Sequence, residues 1–104
     1  MKILPEPVIF EWDKGNINKN FIKHSVTDKE AEEIFENNPK FILEDEKHSL
    51  IEVRYMIWGM TNNNRKLSVF FTFRKTKVRI ISARDMHKKE RRAYEEKIQK
   101  NTKI

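Results

Sequence analysis

The stretch Lys66-Leu-Ser-Val-Phe-Phe-Thr-Phe-Arg74, Lys75-Thr76, Lys77-Val-Arg-Ile-Ile-Ser-Ala83 decides the fold. Two runs rich in β-branched and aromatic residues flank a two-residue break, the pattern of a β-hairpin. In the first run Leu67, Val69, Phe71 and Phe73 recur with period two, so they face a core. Phe70, Thr72 and Arg74 then share the opposite face. Upstream, Asn62-Asn-Asn64 supplies a turn, because asparagine tolerates left-handed backbone. Before it, Ile51–Met60 reads as a strand with Ile51, Val53, Tyr55 and Ile57 on one face. Glu52, Arg54, Met56 and Trp58 lie on the other. Phe41–Glu44 adds a fourth strand. Connections this short join the strands into an antiparallel meander. One face is greasy, and the other mixes arginine, carboxylate and aromatic groups.

Helical signals flank the sheet. Pro7–Trp12 is a short extended piece. Asp13 reads as the N-cap of a helix running to about His24, with Ile17 and Phe21 turned to the core. Thr27-Asp-Lys-Glu30 is a capping box. It opens a second helix with the stripe Ala31, Ile34 and Phe35, which Pro39 ends. From Asp85 to about Lys100 a basic helix carries a thin stripe of Met86, Ala93, Tyr94 and Ile98. The expected architecture is α+β in one domain over residues 1–104: two N-terminal helices, a four-stranded antiparallel sheet and a C-terminal helix.

The chain has 104 residues and a net charge of +6. Residues 1–52 hold 7 Lys/Arg against 12 Asp/Glu, a balance of −5, while residues 53–104 hold 15 against 4, a balance of +11. All seven arginines fall in the second half. Such clustering attracts polyanions, because neutralising phosphates releases condensed counterions. No apolar run is long enough for a membrane span and no secretory signal is evident, so the expected location is the cytoplasm. Without cysteine there is no disulfide, thiol nucleophile or Cys-ligated zinc. His24, His48 and His87 lack metal-ligand spacing, and no Gly-rich phosphate loop is present, so no metal or cofactor is expected.

What remains is guanidinium chemistry. Arg54, Arg74, Arg79 and Arg84 sit on or at the ends of three adjacent strands. Arginine's planar fork matches phosphate oxygens and stays charged at any working pH. Such a set can stabilise the phosphorane of RNA cleavage. Glu52, Lys23 and His24 are the candidate proton carriers. Taken singly, each arginine is equally readable as a salt-bridged surface side chain, and Glu52 as a partner of Arg54. Trp12 reads better as a core buttress than as a base stacker. Trp58 and Phe70 are better stacking candidates, unless the C-terminal helix covers them.

These residues resemble a known family. Phe10-Glu-Trp-Asp13, then Asn20 and Lys23-His24, resembles the F-x-W-D…N-x-x-K-H-G opening of the BrnT toxins. Glu52-Val-Arg54 with Gly59 resembles the family's E-x-R-(x)4-G strand. Val78-Arg-Ile-Ile-Ser-Ala-Arg84, then Glu90-Arg91 and Tyr94, resembles its closing segment. The likeness covers residues 8 to about 96. Ser25 stands where the family has Gly. His87 stands where it often has Thr as N-cap of the last helix, a role that passes here to Asp85. The resemblance implies a RelE-like ribonuclease toxin of a type II toxin–antitoxin pair that blocks translation. It places active residues among Lys23, Glu52, Arg54, Arg74, Arg79 and Arg84. Of these Lys23, Glu52, Arg54, Arg79 and Arg84 are the expected catalytic groups, and Arg74, with His24 and Trp58 from the residue reading, the expected RNA contacts. The implied partner is a BrnA-like antitoxin that dimerises into a 2:2 complex and carries the operator-DNA contact. By residues alone, a non-catalytic RNA- or DNA-binding module and a protein-interaction module with a basic face remain alternatives.

Overall fold

The computed structural model describes residues 4–45 and 52–102. Ile51 and His48, and with them the start of the second expected strand, lie outside the described residues. The strands are β1 (Phe41–Glu44), β2 (Tyr55–Met60), β3 (Lys66–Arg74) and β4 (Lys77–Asp85), in spatial order β1-β2-β3-β4 and antiparallel throughout. The meander is therefore as the short turns require. Asn64 and Lys75 take the left-handed turn positions, at φ 64° and 57°. β2 is shorter than its sequence pattern, because Glu52, Val53 and Arg54 precede the ladder. β4 is longer, extending through Arg84 to Asp85.

One irregularity sets the face of every side chain at the end of β4. Phe71 pairs with Ile80 but Phe70 pairs with Ser82, so Ile81 is the extra residue of a β-bulge. Strict alternation would put Arg79 and Arg84, five apart, on opposite faces. The bulge restores them to the same face, opposite Val78, Ile80 and Ala83, which stay in the core.

The greasy face is covered by α2 (Asp28–Glu36), whose capping box forms as the sequence requires. Ala31, Ile34 and Phe35 are buried against Ile57, Leu67, Val69, Phe71, Val78 and Ile80. Approach is closest at Gly59, where a Cβ would lie 3.0 Å from Ile34 Cβ and 3.1 Å from its carbonyl oxygen. Trp12 is half-buried against this core, and its Nε1 donates to Glu32 Oε2 at 2.6 Å, the buttress reading.

The other face is partly covered by α3 (Lys88–Thr102). Met86 and Tyr94 pack on Trp58, with Phe41, Leu43, Met56, Met60, Ala93 and Ile98 around them. Tyr94 Oη donates to the Pro39 carbonyl at 2.6 Å. Asp85 does not cap this helix. His87 precedes it, its amide donating to Glu90 Oε1 at 2.8 Å, while Asp85 pairs with Arg65. Among the described residues no helix is long and apolar enough to cross a membrane.

The first helix departs most from expectation. α1 spans only Lys19–His24, because Asn18 at φ 61° interrupts it. Ile17 and Phe21 do not face the core; each is 51% exposed. The buried positions belong to Asn16 and Asn20. β4 is an edge strand, and its outer backbone groups must be satisfied. Residues 9–11 satisfy part of that edge, with Val78 N donating to Ile9 O and Glu11 N to Val78 O, both at 2.8 Å. Beyond them, Asn16 Nδ2 donates to Ile80 O at 3.1 Å, and Asn20 Oδ1 accepts from Ala83 N at 3.0 Å. An orphaned backbone group costs about 1–3 kcal/mol, comparable to the burial of one apolar side chain. The strand edge thus selects the amides as the inward positions of α1 and of the turn before it.

Candidate functional site

The register of β2, β3 and β4 arranges the non-core face in cross-strand rows. Trp58, Ser68 and Arg84 form one row, and Met56, Phe70 and Ser82 the next. In the third, Thr72 stands opposite Arg79. Arg54 lies just before the ladder, one residue ahead of Tyr55, which pairs with Phe71. Thr72 Oγ1 donates to the Val53 carbonyl at 2.7 Å, holding this end of β2 to β3.

Arg79 has a side chain only 12% exposed. Its Nη1 and Nη2 donate to the two oxygens of Asp13 at 2.8 and 3.0 Å, and Nη1 reaches Glu11 Oε1 at 3.3 Å. Asp13, expected as a helix cap, is instead the partner of this guanidinium and accepts from Gly15 N at 2.7 Å. The hydrogen bond from Arg79, then that from Gly15, holds the Asp13 carboxyl below its ordinary pKa. A Cβ on Gly15 would lie 2.7 Å from Arg79 Nη2, so this position makes room for the guanidinium. Arg74, half-exposed, approaches Glu11 at 3.9 Å.

Arg84 lies at the other end of β4. It donates to the two carboxylate oxygens of Glu90 at 2.7 and 3.1 Å and stands 5.4 Å from the Phe70 ring centroid. Glu90 also accepts from Ser68 Oγ at 3.1 Å. Burial pushes the Glu90 carboxyl up, but the hydrogen bonds from Arg84 and the His87 amide outweigh it, and the net shift is downward. Phe70 belongs to neither apolar cluster.

One cation of this region escaped the sequence reading. Arg65, just past the Asn turn, donates to Asp85 at 2.7 and 3.0 Å, to Ser25 O at 2.8 Å and to His24 O at 3.2 Å. It also pairs with Glu30 at 3.4 Å. Arg65 thereby ties the end of α1, with Lys23 and His24, to the end of β4. No local pattern marks it, since its partners come from three other points in the sequence. Ser25 completes that end of α1 at φ 56°, the left-handed conformation that suits glycine.

The expected site residues therefore form a strip rather than one cluster. Glu52, Arg54, Arg74 and Arg79 gather at the Thr72 end, with Glu52 on an exposed bend. Arg84 lies at the Asp85 end, about 16 Å away by the rise of a strand, and Arg65 ties the end of α1, which carries Lys23 and His24, to Asp85 there. Trp58 joins neither. Its ring is 7% exposed beneath α3, where no base can reach it, because Met86 and Tyr94 occupy that space. Phe70 is the aromatic side chain left on the strip. Among the described residues no three His, Asp or Glu side chains converge as a metal site. An apolar groove of about 550 Å³ runs along β1 past Leu4, Val8, Phe35 and Ile42, and none of the arginines lines it. The strip itself presents fixed cations beside carboxylates and one half-buried ring, an arrangement fit to hold a phosphodiester backbone.

A family model described as "Ribonuclease toxin, BrnT, of type II toxin-antitoxin system" matches residues 12–90, from before α1 to the first turn of α3. A search of curated proteins finds no match.

Proposed function

The chain belongs to the BrnT family, the ribonuclease toxins of type II toxin–antitoxin systems, and from that premise we propose that it cleaves RNA without a metal ion along the arginine strip. One observation carries this reading: the bulge at Ile81 sets Arg79 and Arg84 on the same face of the sheet. In the proposed step the 2′-hydroxyl oxygen attacks the adjacent phosphorus, and the bond to the 5′-oxygen breaks. A base takes the 2′-hydroxyl proton and an acid protonates the departing 5′-oxygen. The products are a 2′,3′-cyclic phosphate and a 5′-hydroxyl.

Arg54, Arg79 and Arg84 stabilise the charge that develops on the phosphorane. Lys23 and Glu52 are the proton carriers, and Arg74 and His24 hold the backbone on either side. Of the two stacking candidates Phe70 takes the role, since Trp58 lies buried beneath α3. Arg79 and Arg84 are already bridged by carboxylates, so a phosphate binds by sharing these guanidiniums with Asp13 and Glu90. Cleavage blocks translation in the cytoplasm, and a BrnA-like antitoxin neutralises it in a 2:2 complex that contacts operator DNA only through the antitoxin.

The test is incubation of the purified chain with RNA in EDTA, followed by end-group analysis. Fragments should carry a cyclic or 3′-phosphate, and RNA with a 2′-deoxy residue at the cut site should resist. Strict dependence on Mg²⁺, or cleavage at the deoxy linkage, overturns the mechanism. RNA that binds but stays intact would favour a binding module.

A further inference from the structure

Residues 14–26 read Lys-Gly-Asn-Ile-Asn-Lys-Asn-Phe-Ile-Lys-His-Ser-Val, with three lysines and no carboxylate. Asn16 and Asn20 occupy the inward positions, against β4. The apolar side chains are left outside: Ile17 and Phe21 are each 51% exposed and Ile22 is 81% exposed. Lys14, Lys19 and Lys23 are exposed among them, and none has an ion-pair partner among the described residues. Large apolar groups this exposed do nothing for the fold, and water disfavours them. An apolar centre with a charged rim is the anatomy of a protein interface.

We propose that this lysine-rimmed patch on α1 and the segment before it is the docking surface of the antitoxin. The occupant is an amphipathic segment whose aliphatic side chains cover Ile17, Phe21 and Ile22 while its carboxylates meet Lys14, Lys19 and Lys23. This deepens the toxin reading, on which it rests, by naming the surface through which the toxin is held. Two other occupants fit the chemistry less well. RNA would use the lysines but gains nothing from two isoleucines, since bases stack on flat rings. A second copy would bring three lysines of each chain against three of the other, and like charges across an interface repel. Docking here also covers Lys23 and His24, at the Asp85 end of the strip, so the contact that holds the toxin also hinders substrate.

The test uses the full chain with Phe21→Glu or Ile22→Glu, and a BrnA-like antitoxin as probe. Each variant should bind that protein at least about thirtyfold more weakly, the loss expected of an interface hot spot. RNA cleavage and melting temperature should stay at wild-type values. Lys19→Glu should slow association and flatten its salt dependence. Variants that keep wild-type affinity for the probe overturn the assignment. So does a Phe21→Glu variant that loses RNA affinity, which marks an RNA surface. A wild-type dimer that Ile22→Glu dissolves also overturns it, by identifying a second copy as the occupant. A wild-type chain that binds the probe yet cleaves no RNA counts against the nuclease reading alone, and the variants' affinities still decide the surface.

Discussion

Arg84 binds Glu90 through both of its terminal nitrogens and lies over Phe70. Its side chain and that of Arg79 are 20% and 12% exposed, far less than sequence alone suggests for strand-end arginines. Replacing either by Ala should slow RNA cleavage by about 10²–10³-fold, the cost of losing one donor to a developing oxyanion. Arg84→Ala should also lower the melting temperature, because it leaves Glu90 partly buried without its cation. Arg84→Lys separates the two roles. It keeps the charge beside Glu90, and with it most of the stability, but loses the planar fork. Full activity in Arg84→Lys would remove Arg84 from the reaction. Asn20 gives a second residue-level prediction. Asn20→Ala orphans the Ala83 amide and should cost about 1–3 kcal/mol in urea unfolding. Its neighbour Ile22, exposed on the same helix, should tolerate Ser within about 0.5 kcal/mol.

At the scale of elements, two helices are fixed to the sheet by different means. α2 is specified locally by Thr27 and Glu30 and then docked by Ile34 against Gly59 of β2. Gly59→Ala should push α2 off the sheet and cost about 1–3 kcal/mol by overpacking, visible as a lower urea midpoint with unchanged slope. The added methyl meets the backbone of Ile34 as well as its side chain, so no rotamer change relieves it. α1 is held by side-chain amides and by Arg65, with its apolar residues left outside. The sequence signs of a helix were present in both cases. They gave the right inward face for α2 only, because α1 answers to hydrogen-bonding groups on a strand more than sixty residues away.

For the whole molecule, the acidic first half is clamped to the basic second half, through Glu11 and Asp13 on Arg79 and Glu30 on Arg65. Asp13, Asp85 and Glu95 are each held below their ordinary pKa, chiefly by hydrogen bonds from Arg79, Arg65 and Lys66 respectively. A carboxyl with a lowered folded-state pKa binds its proton more readily when unfolded. Its contribution is therefore complete above the ordinary carboxylate range, near 4, and is lost as pH falls through the lowered values. Melting temperature should hold level through neutral pH and decline in acid. Asp85→Asn should lower it at pH 7 and flatten the acid limb. A melting curve for this variant parallel to wild type at every pH would show that the Arg65–Asp85 pair contributes nothing. Burial raises the Tyr94 phenol, so stability should also fall as pH rises past the ordinary tyrosine range.

The sequence by itself determined what depends on near neighbours. The alternation of Leu67, Val69, Phe71 and Phe73 gave β3 its core face, the Asn and Lys-Thr turns made the meander, and Thr27 with Glu30 started α2. Charge segregation pointed to a polyanion, and three spaced motifs pointed to the family. Tertiary structure alone decided the rest. The bulge at Ile81 cannot be read from β4, since it exists only as a mismatch of two strands, yet it puts Arg79 and Arg84 on one face. Trp58 became core because α3, more than thirty residues away, was laid over it. Ile17 and Phe21 turned outward because a periodicity of apolar residues reports only what a helix offers. What the edge of β4 required was an amide, and the unpaired backbone of that edge outweighed the burial of one isoleucine and one phenylalanine.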